Sequence, residues 1–194
     1  MANGRVLTGF SLPYIALYSE SSGTVSYSSG QILARGVSVS LDVNSASDDN
    51  IFYADNVAAE TVAGTFTGGT ATLTVDGLKD AAEKLLLGLP AADTSGFVHY
   101  GDSAQIPYVG VGFICRYMSA GSTEYVPVVL TKCRANMPNL EANTQEAEID
   151  WQTQELTFNM LRDDSTNHDW KMVGTALTTE ALAEAKVKTA LGIS

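Results

Sequence analysis

The chain has 194 residues, of which 45% are hydrophobic and 17% are charged, and its formal net charge is −11. These values are ordinary for one well-cored globular domain and do not suit a chain that is disordered throughout. Tight, sequence-specific nucleic-acid binding usually depends on Lys and Arg side chains that neutralise phosphates, so the acidic balance argues against it. No stretch has the roughly 18 to 20 consecutive apolar residues of a membrane helix, and the start of the chain does not resemble a signal peptide. We expect a product of the cytoplasm without a membrane span.

Four segments predict strands, and in the first two the alternation of apolar and polar residues is the pattern of half-buried antiparallel strands. In the first three of these segments the odd-numbered residues form the apolar face. The third and fourth are separated by the turn SAGSTE, which predicts a long hairpin. The segments are 36–43 (GVSVSLDV), 70–75 (TATLTV), 108–118 (YVGVGFICRYM) and 125–135 (YVPVVLTKCRA).

The segment EAEIDWQTQELTF, residues 146–158, predicts a further strand whose apolar face changes part-way. Its polar residues first occupy even positions, with Trp151 on the opposite, apolar side. From Leu156 onward the even positions are apolar instead. Either a bulge near residues 153–155 or burial of the two halves against different surfaces explains the reversal. We place Trp151 in the core beneath the first half.

Two segments have helical patterns. In residues 76–88 Asp76 is the expected N-cap, an apolar stripe follows, and Gly88 is expected to end the helix. The Ala-rich residues 178–192 predict a weaker helix with Thr178 as the cap. Its composition favours a docking or flexible appendage over a core element.

The order of these elements predicts a mainly β fold, an antiparallel β-sandwich or partly open barrel with one flanking helix. We assign this β domain to residues 1–175 and a C-terminal helical appendage to residues 176–194.

The two cysteines are not expected to form a disulfide. A hairpin turn centred near Ala120 and Gly121 places Cys115 opposite Val126, and Cys133 then lies about seven residues farther along the strand, on the order of 20 Å away. A disulfide needs Cα atoms within about 7 Å of each other, so we predict two reduced thiols.

No motif in the chain predicts catalysis, a cofactor or a metal. GDSA at residues 101–104 lacks the strand-to-helix turn of a serine hydrolase, and GVGFIC at residues 110–115 lies within an alternating strand, where small residues allow close packing. His99 and His168 have no Cys or His partner at ligand spacing. DDSTNHD at residues 163–169 lacks the ligand pattern of a calcium loop, which favours a solvated turn. We therefore expect a protein that is not an enzyme.

Four stretches occur in an order and at a spacing found in one protein family. They are IFYADN (51–56), TLTVDGL (72–78), PYVGVGF (107–113) and NTQEAEIDWQTQELTF (143–158). In combination they resemble the major tail protein, the tail tube subunit, of long non-contractile-tailed bacteriophages. The resemblance covers most of residues 5–175. The same fold and ring arrangement occur in the tubes of contractile injection systems and type VI secretion.

The resemblance implies a structural protein of the virion tail, made in the host cytoplasm. Its subunits would assemble as hexameric rings stacked into a tube through which genome DNA passes without specific binding. The implied partners are other copies of the chain and the tape measure, tail terminator and distal tail proteins. Residues implied to line the lumen are Glu146, Glu148, Asp150 and, as a weaker candidate, Asp42. Residues implied to contact the next ring belong to the loop NSASDDN at 44–50 and are Ser45, Ser47, Asp48 and Asp49.

A second interpretation belongs to another functional class, a β-sandwich module that binds carbohydrate or a cell surface. Such a module is expected to be a stable monomer with exposed aromatic side chains grouped on one surface. Trp151 and Tyr117 fall in predicted apolar stripes, which favours the tail-tube interpretation.

Overall fold

The computed structural model describes residues 4–45, 50–54, 57–62, 65–102, 104–140, 142–144 and 151–193. These residues form a mainly β structure, as predicted, with ten strands and two helices. In chain order the elements are β1 (Val6–Ser21), β2 (Thr24–Ile32), β3 (Gly36–Ser45), β4 (Asn50–Ala54), β5 (Val57–Val62), β6 (Phe66–Val75), α1 (Asp80–Leu87), β7 (Tyr108–Ser119), β8 (Ser122–Ala135), β9 (Gln154–Leu161), β10 (Lys171–Val173) and α2 (Glu180–Ala190).

Eight strands form one antiparallel sheet in the order β2-β1-β7-β8-β9-β6-β3, with β10 paired to β8. On the edge away from β7, β8 is long enough to take two partners, since its residues 128–130 pair with β10 and its residues 132–135 pair with β9. The sheet curls until β3 contacts β1, but no ladder of hydrogen bonds joins them, so the sheet remains open. Strands β4 and β5, which follow β3 and precede β6 in the chain, form a separate hairpin outside this sheet.

The concave side of the curled sheet holds the main core. The odd-numbered faces of β6 and β7 are buried as predicted, and the even-numbered face of β9 packs against them around Phe113 and Phe158. On β3 only the middle of the predicted apolar face is covered. Val37 lies at a register shift and Val43 near the strand end, so both remain exposed.

The β7–β8 hairpin has the predicted turn. Ala120 and Gly121 adopt left-handed φ angles of 49° and 83°, which match the twist of a two-residue hairpin loop. Cys115 pairs with Val126 as expected. Both cysteines are buried and free, which confirms the prediction of two unpaired thiols.

The first hairpin, formed by β1 and β2, was not predicted from the sequence. Its turn at Ser22 and Gly23 also has left-handed φ angles, of 52° and 78°. Four consecutive residues at the centre of β1 are all buried, Pro13, Tyr14, Ile15 and Ala16. β1 is covered on both faces, so its sequence lacks the alternation by which half-buried strands are recognised.

Helix α2 covers the second face of the sheet centre. Its buried residues Ala183 and Val187, with Leu191 just beyond them, pack against β1, β7 and β8 in a second core cluster. The Tyr14 hydroxyl donates a 2.6 Å hydrogen bond to Glu184, and the Ser11 hydroxyl donates one to Glu180. The helix is therefore docked, which is one of the two predicted alternatives, but the expectation that it is not a core element is wrong. A domain boundary at residue 175 stays a prediction.

Two glycines of GVGFIC allow α2 and β2 to approach β7. A Cβ atom at Gly110 would lie 2.5 Å from the Tyr27 ring, and one at Gly112 would lie 2.5 Å from Val187 Cγ1. The small residues were predicted to let another sheet pack closely against this strand. The element that packs there is mainly helix α2.

The helix caps differ from those predicted. Helix α1 begins at Asp80 rather than just after Asp76, because the Asp76 carboxylate accepts a 2.9 Å hydrogen bond from the backbone N–H of Arg35 instead. Gly88 ends the helix in the left-handed conformation, as predicted. The cap of α2 is Thr179, one residue later than expected, and its hydroxyl accepts from the backbone N–H of Leu182.

We predict that Leu191→Ala destabilises the protein while Leu182→Ala does not. Leu191 is fully buried against β7, whereas Leu182 on the same helical segment is exposed. Truncation of a buried Leu typically costs about 2 to 5 kcal/mol, and an exposed substitution usually changes stability by less than about 0.5 kcal/mol. Urea denaturation followed by circular dichroism measures both. Equal stability of the two variants would mean that α2 does not contribute to the core.

Candidate functional site

Most residues predicted to serve assembly lie outside the described part of the chain. These are Glu146, Glu148, Asp150, Ser47, Asp48 and Asp49. Of the remaining two, Asp42 and Ser45 are exposed on β3, and Ser45 is its last residue, paired with Phe66.

Asp42 belongs to a polar outer face that extends across four strands. The face opposite the core carries Ser and Thr residues on β3 and β6, followed by polar residues on β9 and basic residues on β8. Asp42 pairs with Thr70, Thr70 with Asn159, and Asn159 with Arg134. At about 4.8 Å per strand the row is about 14 Å long, with an acidic residue at one end and a basic residue at the other.

The prediction that Trp151 lies in the core is wrong. Its relative exposure is 83%, and residues 151–153 precede β9 and are not part of a strand. The Gln154 side chain accepts a hydrogen bond from the backbone N–H of Leu78, at the point where β9 begins. From Leu156 onward the even-numbered face is buried as predicted, and β9 pairs with β6 without a register shift. Around residues 151–158, the predicted change of apolar face therefore marks the point where strand β9 begins.

β3 is the last strand of the sheet. One edge pairs with β6 along its length, and the other has no ladder partner among the described residues. The strand is ten residues long and exposes both Val37 and Val43. A long edge with exposed apolar side chains is a surface on which another strand can add.

A cluster of cations and tyrosines lies where β8 pairs with the start of β7. The Lys132 ammonium is 2.6 Å from the Asp164 carboxylate and lies over the rings of Tyr18 and Tyr108. Hydrogen bonds from Lys132 and then from Tyr18 lower the pKa of Asp164 below its usual range. Burial, with lesser effects from Asp164, raises the pKa of Tyr18 to about 12. Asp164 is therefore charged and Tyr18 neutral at physiological pH.

Beside this cluster is a groove of about 510 Å³ at the end of the sheet. Lys132 and Arg162 both line it, and Arg162 donates a hydrogen bond to the backbone carbonyl of Phe66. This groove was not predicted from the sequence. The sequence offered one signal for it, two basic residues, Lys132 and Arg134, on the same side of a strand in an acidic chain. The contribution of Arg162 could not be predicted, because it depends on the order of the strands in the sheet.

A second groove, of about 490 Å³, lies at the opposite end of β9. Its walls come from residues 137–140 and 152–155 and from the turn before α1. Polar side chains predominate there, and Leu140 and Trp151 nearby in the chain are highly exposed.

The histidines and the 163–169 segment have structural roles. His99 is an exposed loop residue whose Nε2 is 2.9 Å from Asp93. The Asp163 carboxylate is buried and accepts hydrogen bonds from the backbone and hydroxyl of Ser165, and His168 closes the turn with a left-handed φ of 54°. Within the described residues, no three His, Cys, Asp or Glu side chains are arranged to hold a metal.

Comparison of the chain with protein-family models and with curated proteins found no match. Neither helix of the described residues has the length and apolar character required to cross a bilayer.

Replacing Trp151 by Ala should leave the folded subunit intact, because the side chain is exposed. We expect the free energy of unfolding to change by less than about 0.5 kcal/mol, compared with a loss of about 3 to 5 kcal/mol for Phe158→Ala in the core. Thermal and urea denaturation of both variants provide the comparison. A loss for Trp151→Ala as large as that for Phe158→Ala would restore this residue to the core.

Proposed function

We propose that the chain is a structural protein, the major subunit of a phage tail tube, which forms hexameric rings that stack into a conduit for genome ejection. The observation that supports the proposal best is the outer edge of β3, which has no ladder partner among the described residues. Its ten residues end an open, curled sheet, and two valines on it are exposed. The family resemblance supplies the ring and tube.

Assembly resolves a physical difficulty of the isolated subunit. The sheet ends at β2 on one side and β3 on the other, and each of these strands has a ladder partner on only one edge among the described residues. Unpaired backbone groups on such edges tend to pair with other chains. In a closed ring every subunit offers the same two edges, so contacts between neighbours satisfy them without leaving a free end.

In this proposal the polar outer face of β3, β6 and β9 lines the lumen. Asp42 is exposed on that face among serine and threonine residues, a surface without a dense positive charge that would hold DNA. Glu146, Glu148 and Asp150 add further negative charge to the wall. Ser45, at the end of β3, and the residues Ser47, Asp48 and Asp49 that follow it in the chain contact the next ring. The tape measure, terminator and distal tail proteins bind the ends of the tube.

Electron microscopy of the purified protein tests the proposal, and a charged substitution on the β3 edge sharpens the test. Val43→Lys should fold normally yet raise the concentration needed for polymerisation on the order of tenfold or more, because an edge lysine opposes strand addition. Val173→Lys is a matched control, since Val173 is similarly exposed on β10. Tubes or rings of the wild type that are lost in Val43→Lys alone are the expected result. A wild type that remains monomeric at all concentrations would contradict the proposal.

The lumen assignment predicts an effect of charge on ejection. Duplex DNA carries one negative charge per roughly 1.7 Å of its axis, so a wall that carries lysines would retain it by counterion release. Replacing Glu146, Glu148 and Asp150 together by Lys should allow tails of normal morphology to form but slow DNA ejection. The effect should be strongest at low salt, where screening is weakest. Ejection rates equal to wild type at every salt concentration would remove these residues from the lumen, and failure to assemble would place them at a subunit contact.

Two observations favour the alternative of a carbohydrate- or surface-binding module. Exposure of Trp151 removes half of the earlier reason against it, whereas Tyr117 does pack against the main core. The 490 Å³ groove, with Asn139 and Gln154 in its wall, offers amide groups of the kind that bind sugar hydroxyls. This function requires a stable monomer that binds glycans. A glycan-binding screen on the wild type and Trp151→Ala, alongside the microscopy, separates the two functions.

A further inference from the structure

Five of the seven residues that line the groove of about 510 Å³ beside Lys132 carry hydrogen-bond donors. Two of them are cations, and the others are hydroxyls, which can donate or accept. Phe66 and Leu161 form apolar walls, and no carboxylate is among the lining side chains. This composition suits an oxyanion, because charged donors form the stronger hydrogen bonds with carboxylate or phosphate oxygens. The polar lining residues are Thr65, Thr67, Tyr108, Lys132 and Arg162.

Both cations are held in place by their surroundings. The Lys132 side chain is only 14% exposed, between Asp164 and the rings of Tyr18 and Tyr108. Asp164 uses one of the three ammonium donors and leaves the others for a ligand. Arg162 is anchored through its hydrogen bond to the Phe66 carbonyl. Because these positions are already fixed, binding an anion costs little side-chain entropy.

The groove is at one end of the sheet. Phe66 begins β6, Leu161 ends β9, Tyr108 begins β7, and Ser45, the end of β3, pairs with Phe66. An end surface of this kind is where copies meet in a stack. The chain has 22 acidic and 11 basic residues, so a neighbouring copy presents carboxylates in excess.

We infer that this groove is an oxyanion-binding site, built around Lys132 and Arg162, that takes a carboxylate side chain of a neighbouring copy in the stacked assembly. Free phosphate offers the same chemistry and competes for the site. The assignment of the occupant as a neighbouring copy's carboxylate rests on the proposed tube function. The existence of the anion site rests only on the residues that line the groove.

Arg162→Gln tests the inference, because Gln retains a donor for the Phe66 carbonyl and removes the positive charge. Lys186→Gln is the matched control, since Lys186 is an exposed cation on α2 whose ammonium donates a hydrogen bond to the Thr175 hydroxyl. Circular dichroism and melting temperature establish that both variants fold. Polymerisation is then measured by sedimentation in chloride and in inorganic phosphate at matched ionic strength. Nuclear magnetic resonance titration of the monomer with phosphate measures the site without assembly.

We expect phosphate to inhibit wild-type polymerisation more strongly than chloride does. Arg162→Gln should raise the critical concentration on the order of tenfold and lose the difference between the two salts, whereas Lys186→Gln should behave as wild type. If Arg162→Gln polymerises at the wild-type critical concentration, a carboxylate of a neighbouring copy does not occupy the groove. If phosphate shifts the resonances of groove residues but has no effect on assembly, the neighbouring carboxylate is likewise rejected and the site is assigned to free phosphate. If the wild type never polymerises but shows the phosphate-induced shifts, and Arg162→Gln loses them, the proposed tube is contradicted and the anion site is retained. Absence of shifts together with normal assembly of Arg162→Gln would overturn the site altogether.

Discussion

The centre of the sheet must be covered on both faces, and much of the structure follows from that requirement. β1, β7 and β8 contribute side chains to the main core on one side and to the α2 cluster on the other. A strand buried on both faces is stable only if a second layer lies close to it, and Gly110 and Gly112 provide the space. Away from this centre only the concave face is covered. The same sheet therefore becomes polar on its outer side across β9, β6 and β3.

The difference between centre and periphery also explains which parts of the fold could be read from the sequence. β3, β6 and β7 have an apolar face with period two, and their existence and facing followed from that pattern. β7 keeps the pattern at the centre of the sheet because Gly110 and Gly112 occupy alternate positions, while β8 was predicted from the hairpin turn. β1 has buried neighbours in succession at Tyr14 and Ile15, so no alternation marks it. Helix α2 looked peripheral because its apolar residues are mainly small. Its burial depends on the glycines of β7, far away in sequence, which a local pattern does not reveal.

The candidate site could be predicted only in part, for a related reason. Alternation placed Asp42 on the polar side of β3, and the structure agrees. The same rule failed at Trp151, because it requires a continuous strand and β9 begins three residues later. The grouping of Lys132 with Arg162 and Phe66 was beyond any local rule. It arises from the order of β8, β9 and β6 in the sheet, which brings distant parts of the chain to one end.

The two cysteines have a practical consequence for following this core. Burial raises the pKa of both thiols, most strongly at Cys133, which has no exposed surface. Since the thiolate is the reactive form, neither should react with alkylating reagents until the curled sheet opens. Cys133 lies where β8 meets β9 and Cys115 lies opposite Val126 in the hairpin, so the two report on different parts of the sheet. Their separate alkylation rates would time the opening of each part, and in any assembly they would show how far contacts between copies slow that opening.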